Sequence, residues 1–245
     1  MDTLVKLYGL NHSGSHYLAW LLHHNFNNIG ILHSHTGWNH GPIVDEFLWD
    51  ASKWNTDPYF HGDRNEHGKL LKQETLNNGK TVVDYKKQLE ELYSKKQLPF
   101  LILIRNPYTW MYSYCIKHYK NNRGRDLARA MKLWSDINRN YINSIYPKRH
   151  FIKYEKLRDN TKDELQKVSN FLNIPLTEEF LDTNADAIAL HRNLGETSKF
   201  TKVSEKDYNM LINQICEKEG ISHKVFSDMF NSLIDKNILN FYNKL

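Results

Sequence analysis

The residues best suited to chemistry fall in two short stretches far apart in the chain, and both are built to hold an anion. The first is Gly9-Leu10-Asn11-His12-Ser13-Gly14-Ser15-His16-Tyr17. Its glycines let the backbone approach a ligand closely, so that several N–H donors can converge on one oxygen-rich group. The second opens with Arg105-Asn106-Pro107 and places Ser113 eight residues after the arginine. The planar guanidinium fork and the hydroxyl could contact one phosphate from two sides. The plainer alternatives are a tight connection for the first stretch and an arginine paired with an acidic neighbour for the second.

Both stretches need a strand before them and a helix after them. Thr3-Leu4-Val5-Lys6-Leu7-Tyr8 has the length and apolar content of a buried strand, and past Ser15 the residues Leu18, Leu21, Leu22 and Phe26 recur at helical spacing. The N–H groups and dipole of that helix then face outward at the carboxyl end of the first strand. Leu98 to Ile104 is a continuous apolar run, the mark of a strand covered on both faces. Pro107 suits the first turn of a helix capped by Asn106, so Arg105 ends a strand where ligands of open α/β sheets collect.

The remaining pattern alternates in the same way. Ile29 to His33 and His150 to Tyr154 read as strands. Gln88 to Lys95, Leu127 to Ile145, Lys162 to Leu172, Glu205 to Lys218 and Lys224 to Tyr242 read as helices. Strands alternating with helices predict an α/β, three-layer, P-loop-like fold with a central parallel β-sheet flanked by helices. A length of 245 residues with no linker fits a single domain spanning 1–245. Ile43 to Asn78 has weak periodicity and carries Trp49, Trp54, Tyr59 and Phe60, the composition of an irregular segment over a site mouth.

Composition narrows the partners. The formal net charge is +5, but lysine and arginine are spread along the chain, which suits a small anionic ligand better than nucleic acid. No apolar run approaches the roughly 20 residues of a membrane span, and the N-terminus has no leader pattern. Cys115 and Cys216 lack paired spacing, pointing to a reduced, cytoplasmic protein. The 13 histidines include no His-Glu-x-x-His, and no metal is expected.

A nucleoside triphosphatase loop would carry Lys at position 15 and Ser or Thr at position 16; here Ser15 and His16 stand there, which disfavours a P-loop nucleotide kinase. The segment His12 to Tyr17 instead resembles the sulfonate-donor loop of the sulfotransferases that use 3′-phosphoadenosine 5′-phosphosulfate (PAPS), whose pattern reads roughly Lys-Ser-Gly-Thr-Thr-Trp. Arg105 and Ser113 keep the spacing of that family's 3′-phosphate site. Phe151-Ile152-Lys153-Tyr154-Glu155-Lys156-Leu157 is similar to its Tyr-Glu-Asp segment, and His191-Arg192-Asn193-Leu194-Gly195 to its late Arg-Lys-Gly segment. The matches occur in family order and cover most of the chain, excluding Ile43 to Asn78 and the last helix.

The resemblance implies sulfonate transfer from PAPS to a hydroxyl or amine acceptor, with 3′-phosphoadenosine 5′-phosphate (PAP) released. It implies that the backbone from Ser13 to His16, with Gly14, holds the 5′ phosphosulfate and that Ser15 adds a hydroxyl. Tyr17 takes the place of the family's tryptophan at the adenine, Tyr154 lies near the nucleotide, and Arg105, Ser113 and Arg192 hold the 3′-phosphate. Trp38-Asn39-His40-Gly41-Pro42 matches the histidine and proline of the family's base segment but lacks its lysine, making His40 the expected general base and His35 the next choice. His12 stands where the family usually has a lysine for the leaving phosphate. A histidine serves there only while protonated, so activity is expected to fall above neutral pH. The missing lysine leaves a non-catalytic PAPS- or PAP-binding module as the alternative. The acceptor, a small molecule or carbohydrate, and the oligomeric state are open.

Overall fold

β1 (Thr3–Gly9) is buried almost throughout because it runs through the middle of a parallel sheet. The computed structural model describes residues 3–32, 40–44, 86–117, 126–181 and 205–245. Among these, β2 (Ile29–Leu32), β1, β3 (Phe100–Ile104) and β4 (Arg149–Lys153) lie side by side in the order β2-β1-β3-β4, every pair parallel. The chain passes from β1 to β2 on one side and then returns to the other side with β3, so the direction of winding reverses between β1 and β3. Gly9 pairs with Leu103 there, which brings the ends of the two strands together. A crevice at such a reversal is where doubly wound sheets bind ligands.

Alternation along the strands builds two apolar layers. Val5, Leu7, Leu101 and Leu103 face α1 (Ser15–Asn25), α5 (Tyr154–Asp159) and α6 (Thr161–Leu172). Leu4, Tyr8, Phe100, Ile102 and Ile104 face α2 (Lys86–Ser94), α3 (Pro107–Met111), α4 (Leu127–Asn143) and the C-terminal helices. Helix, sheet and helix thus form the three layers expected from the pattern. No helix among the described residues is long and apolar enough to cross a membrane.

Three elements depart from the sequence pattern. The apolar run at Leu98 pairs only from Phe100, because Pro99 has no N–H to give a ladder and contributes its carbonyl to Lys6 instead. The helix expected from Lys224 to Tyr242 is two. α8 (His223–Leu233) stops before Asp235, whose carboxylate accepts from the backbone of Asn237 at 2.8 Å and Ile238 at 3.4 Å and so starts α9 (Lys236–Lys244). Ser135 fixes that corner, its hydroxyl donating to Leu233 O and accepting from Asp235 N–H. Lastly, α3 does not continue as regular helix: Tyr112–Lys117 is a π-helical turn, a wider winding that residue periodicity does not announce. α7 (Glu205–Glu219) packs on that turn and on α3.

Candidate active site

The loop after β1 is shaped by what surrounds its glycines. Gly14, the N-cap of α1, has φ of 96°, and a Cβ there would lie 2.4 Å from Tyr154 Cε2. At Gly9 a Cβ would meet Ser13 Oγ at 2.7 Å and the Leu103 carbonyl at 3.0 Å. His12 between them has φ of 67°, a left-handed conformation that a side chain adopts only when neighbours enforce it. The neighbours are visible: Trp110 Nε1 donates to Asn11 O at 2.8 Å and Arg105 Nη1 donates to His12 O at 2.9 Å. Ser13 and Ser15 are buried, and the Ser13 hydroxyl has no hydrogen-bond partner among the described residues.

Arg105 closes the other side. Of the five N–H donors of a guanidinium, Nε–H goes to Thr109 Oγ1 at 3.1 Å and one Nη1–H to His12 O. The other three make no hydrogen bond to a described residue. Its Cζ lies over the Tyr154 ring, 4.6 Å from the centroid. Burial pushes the guanidinium below its ordinary value, an effect that Tyr154 and Glu155 oppose. Arg105 has no salt bridge among the described residues. A half-buried cation with uncommitted donors is stabilised by an anion placed against it.

Tyr154 joins the two halves, with Gly14 and Arg105 both against its ring. Burial, partly offset by Arg105, pushes its phenol up to about 12, so it keeps its proton as a donor. That buried hydroxyl also lacks a partner among the described residues. The buried hydroxyls of Ser13 and Tyr154 and three guanidinium N–H groups of Arg105 thus have no partner among the described residues, a donor set whose chemistry suits an anion.

Ser113 is half-buried on the π-helical turn. Its neighbour Tyr114 stacks on Trp110 at 4.6 Å and approaches the His12 ring edge-on at 5.8 Å, which draws the turn toward the first loop. Tyr17 is buried in the layer beneath α1, with its hydroxyl 3.4 Å from Thr161 Oγ1. The side chain of His16, and the whole of His35, Arg192 and most of Ile43 to Asn78, lie outside the described residues.

His40 Nδ1 is 2.6 Å from the carbonyl of Gly9. A carbonyl only accepts, so Nδ1 carries the proton and the neutral ring has its basic lone pair on Nε2. The segment after it is strapped down at three residues. Tyr141 donates to Gly41 O at 3.0 Å, Asn140 Oδ1 accepts from Ile43 N–H at 2.7 Å, and Tyr93 donates to Val44 O. None of these straps was singled out from sequence as a site residue; Tyr141 falls simply within the helix expected from Leu127 to Ile145.

The profile of the sulfotransferase domain family matches residues 85–239, a span that includes β3, Arg105, the π-helical turn and Tyr154. The chain belongs to the sulfotransferase domain family. Two solved sulfotransferase domains are similar to it. One, from the curacin biosynthetic pathway, has a TM-score of 0.45 at 14% identity, covering 91% of this chain and 99% of its own. The other, from the olefin synthase of Synechococcus PCC 7002, has a TM-score of 0.40 at 12% identity, covering 85% and 83%. No curated protein sequence matches the chain. In this sulfotransferase domain the glycine loop after β1 precedes the matched span, and the structure joins it to that span through Arg105, Trp110 and Tyr154.

Proposed function

We propose that the protein transfers a sulfonate group from PAPS to a hydroxyl or amine of an acceptor and releases PAP. The observation that carries the proposal is Arg105 with three uncommitted N–H donors, set against Tyr154 and the Ser13-Gly14 loop at the point where the sheet reverses. When bound, PAPS supplies the sulfonate. The N–H groups from Ser13 to His16 at the start of α1 hold its 5′ end, with the hydroxyls of Ser13 and Ser15 beside them. Arg105 and Ser113 hold the 3′-phosphate, joined by Arg192. Tyr154 donates from the floor, Tyr17 completes the adenine side, and His12 faces the leaving phosphate. His40 takes the acceptor proton at Nε2, or His35 does so from the same loop. The acceptor is a small molecule or carbohydrate, and the protein works in the cytoplasm as a single domain without a metal.

Turnover of PAPS to PAP against a panel of glycans, phenols and steroids tests the proposal. Acceptor-dependent PAP formation by wild type, abolished in Arg105→Ala, is the expected result. Histidine at position 12, in place of the family's lysine, favours one second reading, a binding module without turnover. Heat release on titration with PAP but no PAP formation with any acceptor would select it.

A further inference from the structure

The final helix reaches Arg105 through one half-buried carboxylate, that of Glu155. Tyr242 on α9 is 2% exposed, and its hydroxyl donates to Glu155 Oε2 at 2.9 Å. The other oxygen of Glu155 accepts from Asn106 N–H at 3.1 Å and from the Thr109 hydroxyl at 3.0 Å. Thr109 Oγ1 in turn accepts Nε–H of Arg105 at 3.1 Å. Lys153 lies over the Tyr242 ring, 4.1 Å from its centroid, and holds the ring in place from the other side. Tyr242 falls beyond residue 239, where the family match ends.

We propose that Tyr242 is a positioning residue for the anion site, acting on Arg105 through Glu155 and Thr109. The proposal rests on the nucleotide assignment made above. Its logic is the single proton of the threonine hydroxyl. With that proton given to Glu155, the Thr109 lone pairs face Arg105 and fix the fork. A second acceptor, the Asn106 carbonyl, lies 3.2 Å from the same hydroxyl. If Glu155 swings away, the proton turns to that carbonyl and the Nε–H contact loses its alignment. Tyr242 prevents the swing by holding the second carboxylate oxygen.

A double-mutant cycle on PAP affinity, read by titration calorimetry, tests this. Tyr242→Phe is expected to weaken PAP by about three- to tenfold, the scale of one hydrogen bond to a charged group acting at one remove. In a Thr109→Val background the same change should add nothing, because the route is already cut. Thr109→Ser, which keeps the hydroxyl, should restore wild-type affinity. Glu155→Gln is the second probe of the same route and is expected to match Thr109→Val. Unchanged PAP affinity in Tyr242→Phe, or an equal loss in the Thr109→Val background, overturns the proposal. If wild type binds PAP and Arg105→Ala does not, while Tyr242→Phe is indistinguishable from wild type, this inference fails alone. If wild type does not bind PAP, it fails together with the nucleotide assignment.

Discussion

The Arg105 guanidinium lies over the Tyr154 ring, 4.6 Å from its centroid, and two hydrogen bonds, to His12 O and Thr109 Oγ1, set its direction. Lysine cannot reproduce this, since an ammonium has neither plane nor fork. Arg105→Lys keeps the charge and is expected to weaken PAP about tenfold or more, and Arg105→Ala about a hundredfold. Titration calorimetry checks both, and equal affinity for wild type and Arg105→Ala would remove Arg105 from the site.

Gly14 lies against the same ring. An added methyl meets left-handed strain of about 1–2 kcal/mol and a clash with a ring that is itself backed by Arg105. Gly14→Ala is therefore expected to lower folding stability by at least about 1–2 kcal/mol and to weaken PAP at the same time. Urea unfolding followed with and without PAP measures the two effects. A variant as stable as wild type that binds PAP normally would show that the loop relaxes more freely than its packing implies.

The strand ends were legible in sequence because their causes are local or nearly so. Leu101, Ile102 and Leu103 form an unbroken apolar run since both faces of β3 are covered, and Asn106 caps α3 through the two backbone N–H groups that follow it closely. The break before Asp235 was less visible. Apolar spacing carries on across it, and the stop depends on Ser135 reaching over from α4. Glu155 shows the same limit at the site. It stands in the segment that suggested Tyr154, but its partners Asn106, Thr109 and Tyr242 come from distant parts of the chain, and only the fold gathers them. The π-helical turn carrying Ser113 has no residue signature that separates it from regular helix.

His40 and Tyr141 make a paired kinetic prediction. If Nε2 of His40 takes the acceptor proton, His40→Ala should lower kcat by about 100- to 10,000-fold while PAP affinity stays near wild type. Tyr141 donates to the carbonyl of Gly41, the residue that follows His40, whose own ring is oriented by the Gly9 carbonyl. Tyr141→Phe removes only that tie and is expected to lower kcat about five- to tenfold, again with little change in PAP binding. Full turnover in His40→Ala would transfer the base role to His35 or to a carboxylate such as Asp45 or Glu46.

A last prediction concerns stability rather than activity and follows from His150 on the edge strand β4. Its Nε2 is buried without a partner among the described residues, its ring stacks on Phe171 at 5.3 Å, and burial lowers its pKa from the ordinary 6.5, with Glu164 opposing and Lys167 adding. The unfolded chain then binds a proton at a pH where the folded chain does not. Stability is accordingly full above the ordinary histidine value and falls as pH drops below it toward the lowered folded value. Replacing the ring by one that never charges, His150→Phe, should remove this part of the slope and keep the stacking on Phe171. Urea midpoints for both proteins from about pH 8 to about pH 5 decide the matter: parallel profiles would show that His150 titrates alike in the folded and unfolded chain.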